Sequence, residues 1–116
     1  VPGAQIVGGP LDCESLAACA APDLVVNATT VGMWPNVEAS PWPDSVAFPR
    51  GALAYDLTYN PRETRFMATA VAAGAHAVSG LRMLVHQGAV SFVRWTGIEP
   101  PIEIMLTACL QALGGS

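Results

Sequence analysis

The sequence predicts an α/β fold, in which helices flank a mostly parallel sheet. Short apolar runs alternate with segments of helical periodicity along most of the 116 residues, and this order is typical of parallel sheets. The runs at residues 23–27 and 52–57 are nearly continuous rather than alternating. Such runs are typical of strands that are covered on both faces. The length is enough for one modest domain.

The first quarter of the chain is predicted to hold a strand, a helix and a second strand. Residues 4–7 are strand-like, and the Gly8-Gly9-Pro10 turn breaks the pattern. Asp12 is expected to cap a short helix over residues 13–21, with Leu16 and Cys19 facing inward. Residues 23–27 then form the second strand.

A long loop is predicted over residues 32–51, because prolines and glycines occur throughout it. A loop of this length in a compact domain is either functional or disordered. We expect three aromatic side chains to anchor it to the surface: Trp34, Trp42 and Phe48. A third strand is predicted directly afterwards, at residues 52–57.

The second half is predicted to contain three helices and one short strand. Asn60 is expected to cap the first helix with Pro61 at its first position, and Gly74 ends it. A strand over residues 75–78 leads through a tight turn into a helix that stops at Gly97. The buried stripe of that helix is predicted at Leu81, Leu84, Val85, Gly88, Ala89, Phe92 and Trp95. A last helix has its apolar stripe at Ile102, Met105, Leu106, Cys109, Leu110 and Leu113, and Gly114-Gly115 ends it.

Composition argues against several classes of function. The net charge is −4 and there is no basic cluster, which argues against nucleic-acid binding. No apolar run approaches the length of a membrane span. Only 12% of residues are charged, so another domain or a partner subunit is expected to cover some apolar surface. The three cysteines lack metal-ligand spacing, and we expect no metal site, no disulfide framework and a reducing, cytoplasmic location.

Polar residues follow three of the predicted strands, at residues 27–30, 58–60 and 79–80. In parallel sheets ligands bind beyond the carboxyl ends of the strands, so the sequence predicts a binding site where these segments meet. No glycine-rich phosphate turn is present. The chain alone is therefore not expected to hold a pyrophosphate.

Five further side chains could carry chemistry, and each has an alternative reading. Gln87 on a mostly apolar helix suggests a polar partner, and Tyr59 is either a wall of a site or a plain surface tyrosine. Asp56 within a strand needs a hydrogen-bonding partner, which favours a structural role. His76 and His86 are more simply solvated than catalytic.

Four stretches, at residues 23–33, 55–61, 80–89 and 95–97, resemble the C-terminal part of shikimate dehydrogenases, and the resemblance covers residues 4–113. It implies NADP-dependent, reversible reduction of 3-dehydroshikimate to shikimate in aromatic amino acid biosynthesis. It further implies that residues 1–97 are the C-terminal half of a Rossmann-like NADP-binding domain. Residues 98–116 would then be a helix that packs on a substrate domain.

The resemblance also implies the roles of individual residues. Tyr59 and Gln87 would contact the substrate. The cofactor would be contacted by Asn27, Ala28, Thr29, Leu57, Gly80 and Met83. Ser79 and Arg82 depart from the family pattern, which usually has aspartate and a small residue at these positions.

The family's catalytic lysine and aspartate and its phosphate turn would precede this region, and the chain has no lysine. We therefore expect a fragment that is inactive alone. Two alternatives stay open at this point. One is a non-catalytic half-fold used for assembly or regulation, and the other is a relative that acts on quinate with NAD.

Overall fold

The computed structural model describes residues 2–114, and its architecture confirms the predicted α/β class. The elements in chain order are α1 (Cys13–Ala18), β1 (Leu24–Asn27), β2 (Leu53–Asp56), α2 (Arg65–Ala72), β3 (His76–Ser79), α3 (Leu81–Thr96) and α4 (Ile102–Ala112). The strands form one parallel sheet in the order β1-β2-β3. Each carboxyl end therefore lies at the same edge of the sheet.

Helix α2 and the loop between β1 and β2 cover one face of the sheet. Phe66 and Ala70 of α2 pack on Ala54, and the ring of Phe48 lies edge-on to Phe66 at a centroid distance of 5.6 Å. The loop is anchored by buried Trp42 and Phe48, as predicted. Trp34 does not anchor it, because this side chain is 63% exposed.

The opposite face of the sheet is largely open. Leu24 and Val26 of β1 are 52% and 47% exposed, and Leu53 and Val78 beside them are also exposed. The prediction that β1 is covered on both faces is therefore wrong within residues 2–114. The reason is that α3 and α4 pack on each other and form a second apolar cluster apart from the sheet.

Helix α2 begins four residues later than the sequence predicts. Its N-cap is Thr64, whose hydroxyl accepts a hydrogen bond from the Met67 amide at 3.2 Å. The same hydroxyl donates to Asp56 at 2.6 Å, and this buried anchor favours Thr64 over Asn60. Gly74 ends the segment with a φ of +90°, as expected.

Helix α1 begins at the predicted cap but ends at Ala18 rather than residue 21. The Ser15 amide donates to Asp12 Oδ1 at 2.7 Å, and this bond lowers the pKa of the Asp12 carboxyl. Cys19 is extended and exposed rather than inward-facing. The strand predicted at residues 4–7 is absent, because Ile6 and Val7 are almost fully exposed and have no strand beside them.

Helices α3 and α4 form where the sequence predicts them. Gly97 caps α3 with a φ of +71°, and the stripe of α4 packs on Leu81 and Val85 of α3. Phe92 and Trp95 are exposed, so the predicted buried stripe of α3 is wrong at its C-terminal end. Gly115 lies outside the described residues. Among residues 2–114, no helix is long and apolar enough to cross a membrane.

Candidate functional site

The predicted convergence of polar strand ends is confirmed. The parallel register places Asn27 beside Asp56, and Asp56 beside Ser79. The turn after β3 enters α3 directly at Leu81. These residues make one continuous edge at the position where ligands bind on open α/β sheets.

Asp56 stands at the centre of this edge. Its carboxylate is completely buried, and Oδ1 accepts hydrogen bonds from the Thr58 amide at 2.9 Å and from Asn27 Nδ2 at 3.2 Å. Oδ2 accepts from the Thr64 hydroxyl at 2.6 Å. The structural reading of this carboxylate is therefore confirmed, since every contact is to a strand end or a helix cap.

Asn27 uses its whole side-chain amide within the protein. Nδ2 donates to Asp56 and to the Val31 carbonyl at 3.3 Å. Oδ1 accepts from the backbone amide of Thr29 at 3.0 Å and from its hydroxyl at 2.6 Å. Two donors and two acceptors are the full capacity of an asparagine side chain. Asn27 thus fixes the conformation of the segment that carries the exposed residues Ala28 and Thr29.

Gly80 is buried against the backbone of Leu57. A Cβ atom on Gly80 would lie 2.6 Å from the Leu57 carbonyl carbon and closer still to its oxygen. The Gly80 amide also donates to the Thr58 carbonyl at 3.2 Å. An internal contact thus requires the glycine, and the cofactor contact that the resemblance implies for Gly80 stays a prediction.

The remaining predicted site residues follow β2 or lie in the first two turns of α3. Tyr59 is 40% exposed and Met83 is 41% exposed. Gln87 is exposed one turn after Met83 on α3, and Leu57 is half-buried. Within residues 2–114, none of the hydrogen bonds uses the Gln87 side-chain amide. This amide is therefore available to a ligand.

One cavity adjoins the edge at Ser79 and Leu81, on either side of Gly80. This cavity of about 620 Å³ is lined by Arg62, Glu63, Met67, Val71, Ala77, Ser79, Leu81 and Leu110, none of which was a predicted site residue. A smaller one of about 110 Å³ includes Asn27 and Thr29. Leu57, Tyr59, Met83 and Gln87 line neither of these two cavities.

The two departures from the family pattern are accommodated. Ser79 Oγ accepts a hydrogen bond from the Leu81 amide at 3.4 Å, so the entry of α3 retains a side-chain contact. Arg82 is exposed. His76 and His86 are also exposed, as their solvated reading requires. Within residues 2–114, no group of acidic, histidine or cysteine side chains is arranged to hold a metal ion.

Sequence reasoning missed Thr64, which joins the buried carboxylate to the start of α2. The Asn-Pro pair at residues 60–61 is a stronger cap signal and drew the prediction upstream. A usable signal was present, because a threonine directly precedes the buried stripe of α2 at Phe66 and Ala70. Threonine is a favoured cap residue.

Comparison with known proteins supports the resemblance. Residues 80–110 match the family described as "Shikimate 5'-dehydrogenase C-terminal domain". The shikimate dehydrogenase (NADP(+)) of Moorella thermoacetica is 48% identical over 96 residues, which are 83% of this chain and 32% of that protein.

Two solved structures extend the comparison. Shikimate 5-dehydrogenase from Thermus thermophilus, in complex with NADP(H) and shikimate, superposes with a TM-score of 0.70 at 44% identity over 78% of this chain and 34% of that one. Quinate dehydrogenase from Corynebacterium glutamicum, in complex with NAD, superposes with a TM-score of 0.70 at 33% identity, over 84% of this chain and 33% of that one. The chain spans about a third of the length of these relatives. The chain is therefore similar in sequence and fold to the C-terminal part of these dehydrogenases.

Proposed function

We propose that this chain forms one wall of the active site of an NADP-dependent shikimate dehydrogenase. The observation that carries the proposal is the close approach of Gly80 to Leu57 at the entry of α3, the helix that exposes Met83 and Gln87 one turn apart. The similarity to relatives named for this activity agrees with it.

In this proposal the exposed polar side chains bind the substrate. Tyr59 presents a hydroxyl group, and Gln87 presents a free amide that can both donate and accept hydrogen bonds. A ring with several hydroxyl groups suits this pair. Hydrogen bonds from both residues would orient the ring without taking part in the bond changes.

The cofactor side of the wall fits only the nicotinamide end. Half-buried Leu57 and exposed Met83 provide apolar surface for a flat ring, while Asn27 holds Ala28 and Thr29 for a ribose. The sequence has no glycine-rich turn for the pyrophosphate and no lysine. NADP supplies the hydride chemistry when bound, and the protein supplies orientation. In this proposal the proton-transfer groups and the phosphate site belong to the N-terminal two-thirds that the relatives possess. We also propose that the enzyme acts in the cytoplasm.

The proposal is tested by joining this chain to the N-terminal two-thirds of the Moorella thermoacetica relative. We expect the joined protein to oxidise shikimate with NADP, whereas the 116-residue chain alone gives no turnover. A joined protein that folds but does not oxidise shikimate would refute the proposal. The second candidate function is that of a relative that acts on quinate with NAD, and the similarity to quinate dehydrogenase supports it.

A further inference from the structure

The buried carboxylate of Asp56 connects three separate elements. It accepts hydrogen bonds from the end of β1 through Asn27, from the exit of β2 through the Thr58 amide, and from the cap of α2 through Thr64. Its residue is 0% exposed. Within residues 2–114 the one ion pair is between Arg65 and Asp44. Asp56 therefore has no arginine as a partner there. Three donors alone compensate its burial.

Two of these donors lie next to opposite parts of the wall. Thr58 stands between Leu57 and Tyr59, so the bond from its amide fixes the bend that carries both side chains. The side-chain oxygen of Asn27 accepts hydrogen bonds from both the backbone amide and the hydroxyl of Thr29. The carboxylate therefore reaches the substrate side and the cofactor side of the wall through one intervening group each.

We propose that Asp56 is a positioning residue that holds Tyr59 and Thr29 in register with each other. The identity of what the two residues bind rests on the proposed function, but the coupling itself does not. A charged acceptor suits this role, because hydrogen bonds to a carboxylate are stronger and shorter than those between neutral groups. Neither oxygen of Asp56 faces solvent, so it acts only through these neighbours.

The substitution Asp56→Asn tests the coupling at nearly constant shape. It keeps one acceptor oxygen but replaces the other by an amino group that faces the Thr64 hydroxyl. We expect amide hydrogen exchange to accelerate about tenfold at Thr58, whose amide loses a charged acceptor, and at Thr29, whose acceptor Asn27 is held less firmly once its own bond to a carboxylate is lost. Exchange at the buried Ala70 amide should change much less. The control is Asp44→Asn, which removes an exposed carboxylate 76% accessible in its side chain.

The exchange experiment uses the full 116-residue chain. Unchanged exchange at Thr58 and Thr29 in Asp56→Asn would overturn the proposal. An equal acceleration at Thr58, Thr29 and Ala70 would also overturn it, because that pattern reports only a general loss of stability. If Asp56→Asn fails to fold, Thr64→Ser and Thr64→Val replace it. Slow exchange at Thr58 in Thr64→Ser, together with fast exchange in Thr64→Val, supports the proposed hydrogen-bond network around Asp56. Slow exchange in both variants contradicts it.

A kinetic experiment separates positioning from structural support. In the joined protein, Asp56→Asn should raise the KM for both shikimate and NADP by about tenfold, whereas a smaller folded fraction would lower kcat alone. Unchanged KM values would contradict the proposal. A joined protein that is inactive before any substitution refutes the proposed function, while the exchange result still decides whether Asp56 couples the two segments.

Discussion

The Cα atom of Gly80 lies directly against the backbone of Leu57, and this contact sets a demand on one residue. Replacement by alanine places a methyl group inside the space of the Leu57 carbonyl. Backbone cannot rotate away as a flexible side chain can, so the turn between β3 and α3 would have to shift. Both residues belong to the proposed nicotinamide wall, and the shift would therefore reach the site.

We predict that Gly80→Ala lowers the free energy of unfolding by about 3 kcal/mol or more, as for other overpacked sites. Gly88→Ala is the matched control, because its Cβ would meet Met105 Cε at an ordinary 3.6 Å. That change should stabilise α3 by up to about 1 kcal/mol, the difference in helix propensity. Urea unfolding measures both. Equal stability of the two variants would contradict this account of Gly80.

The side chains at the edge show how far sequence patterns lead at this scale. The polar strand ends were predictable, because parallel strands bring their carboxyl ends together. The saturation of Asn27 was not, since its four hydrogen bonds reach Val31, Thr29 and Asp56 across 29 positions of sequence. The contact between Gly80 and Leu57 was likewise invisible, because it joins two backbones.

At the scale of elements, α2 is fixed by its tertiary anchor rather than by its strongest local signal. The Thr64 hydroxyl donates to the buried Asp56 while accepting from Met67. Asn60 and Pro61 offered a better local cap, yet the chain passes them without starting the helix. The Asn60 carbonyl instead accepts from the Trp34 amide at 2.9 Å, which ties the long loop to the site.

We predict that Thr64→Val destabilises the chain by about 1–2 kcal/mol, from the loss of a cap and of a buried hydrogen bond. Asn60→Ala should stay within about 0.5 kcal/mol, because its side chain caps nothing in the described residues. Chemical denaturation of the two variants gives the comparison. A larger loss in Asn60→Ala would restore the helix start that the sequence predicts.

Helix α1 should respond to acid through its cap. The Ser15 amide stabilises ionised Asp12 and so lowers its pKa below the usual 3.8. Because the pKa is lowered in the folded state, the contribution of this cap to stability is present above about pH 4 and is lost as the pH falls through the lowered pKa. We predict that the NMR chemical shift of the Ser15 amide changes with pH, with a midpoint below 3.8. This pH-dependent change should be absent in Asp12→Asn. A midpoint at or above that value would contradict the cap.

At the scale of the whole molecule, the sheet is covered on one face and open on the other. Leu24, Val26, Leu53 and Val78 are all exposed on the open face. The low charge of the sequence had suggested that apolar surface would need cover. The stripe of α4 seemed the candidate for that surface, but it packs on α3. Periodicity identifies an apolar face and not what covers it. Packing of α4 on a further domain stays a prediction.

We predict that the isolated chain binds the dye ANS through this open face. The joined protein should bind much less dye, because we expect its added N-terminal part to cover the open face and so remove this apolar surface from water. Val26→Thr and Val78→Thr together should reduce dye fluorescence in the isolated chain without unfolding it. Equal fluorescence for the isolated chain, the double variant and the joined protein would show that the face attracts no apolar ligand.

The most direct test of the central claim is the effect of Gln87→Ala on shikimate oxidation by the joined protein. Loss of a hydrogen bond to a polar substrate should lower kcat/KM for shikimate by about one to two orders of magnitude. Gln111→Ala, which removes another exposed amide on α4, should leave kcat/KM within about twofold of the unsubstituted protein. An unchanged kcat/KM in Gln87→Ala would contradict the assignment of this edge as the substrate wall.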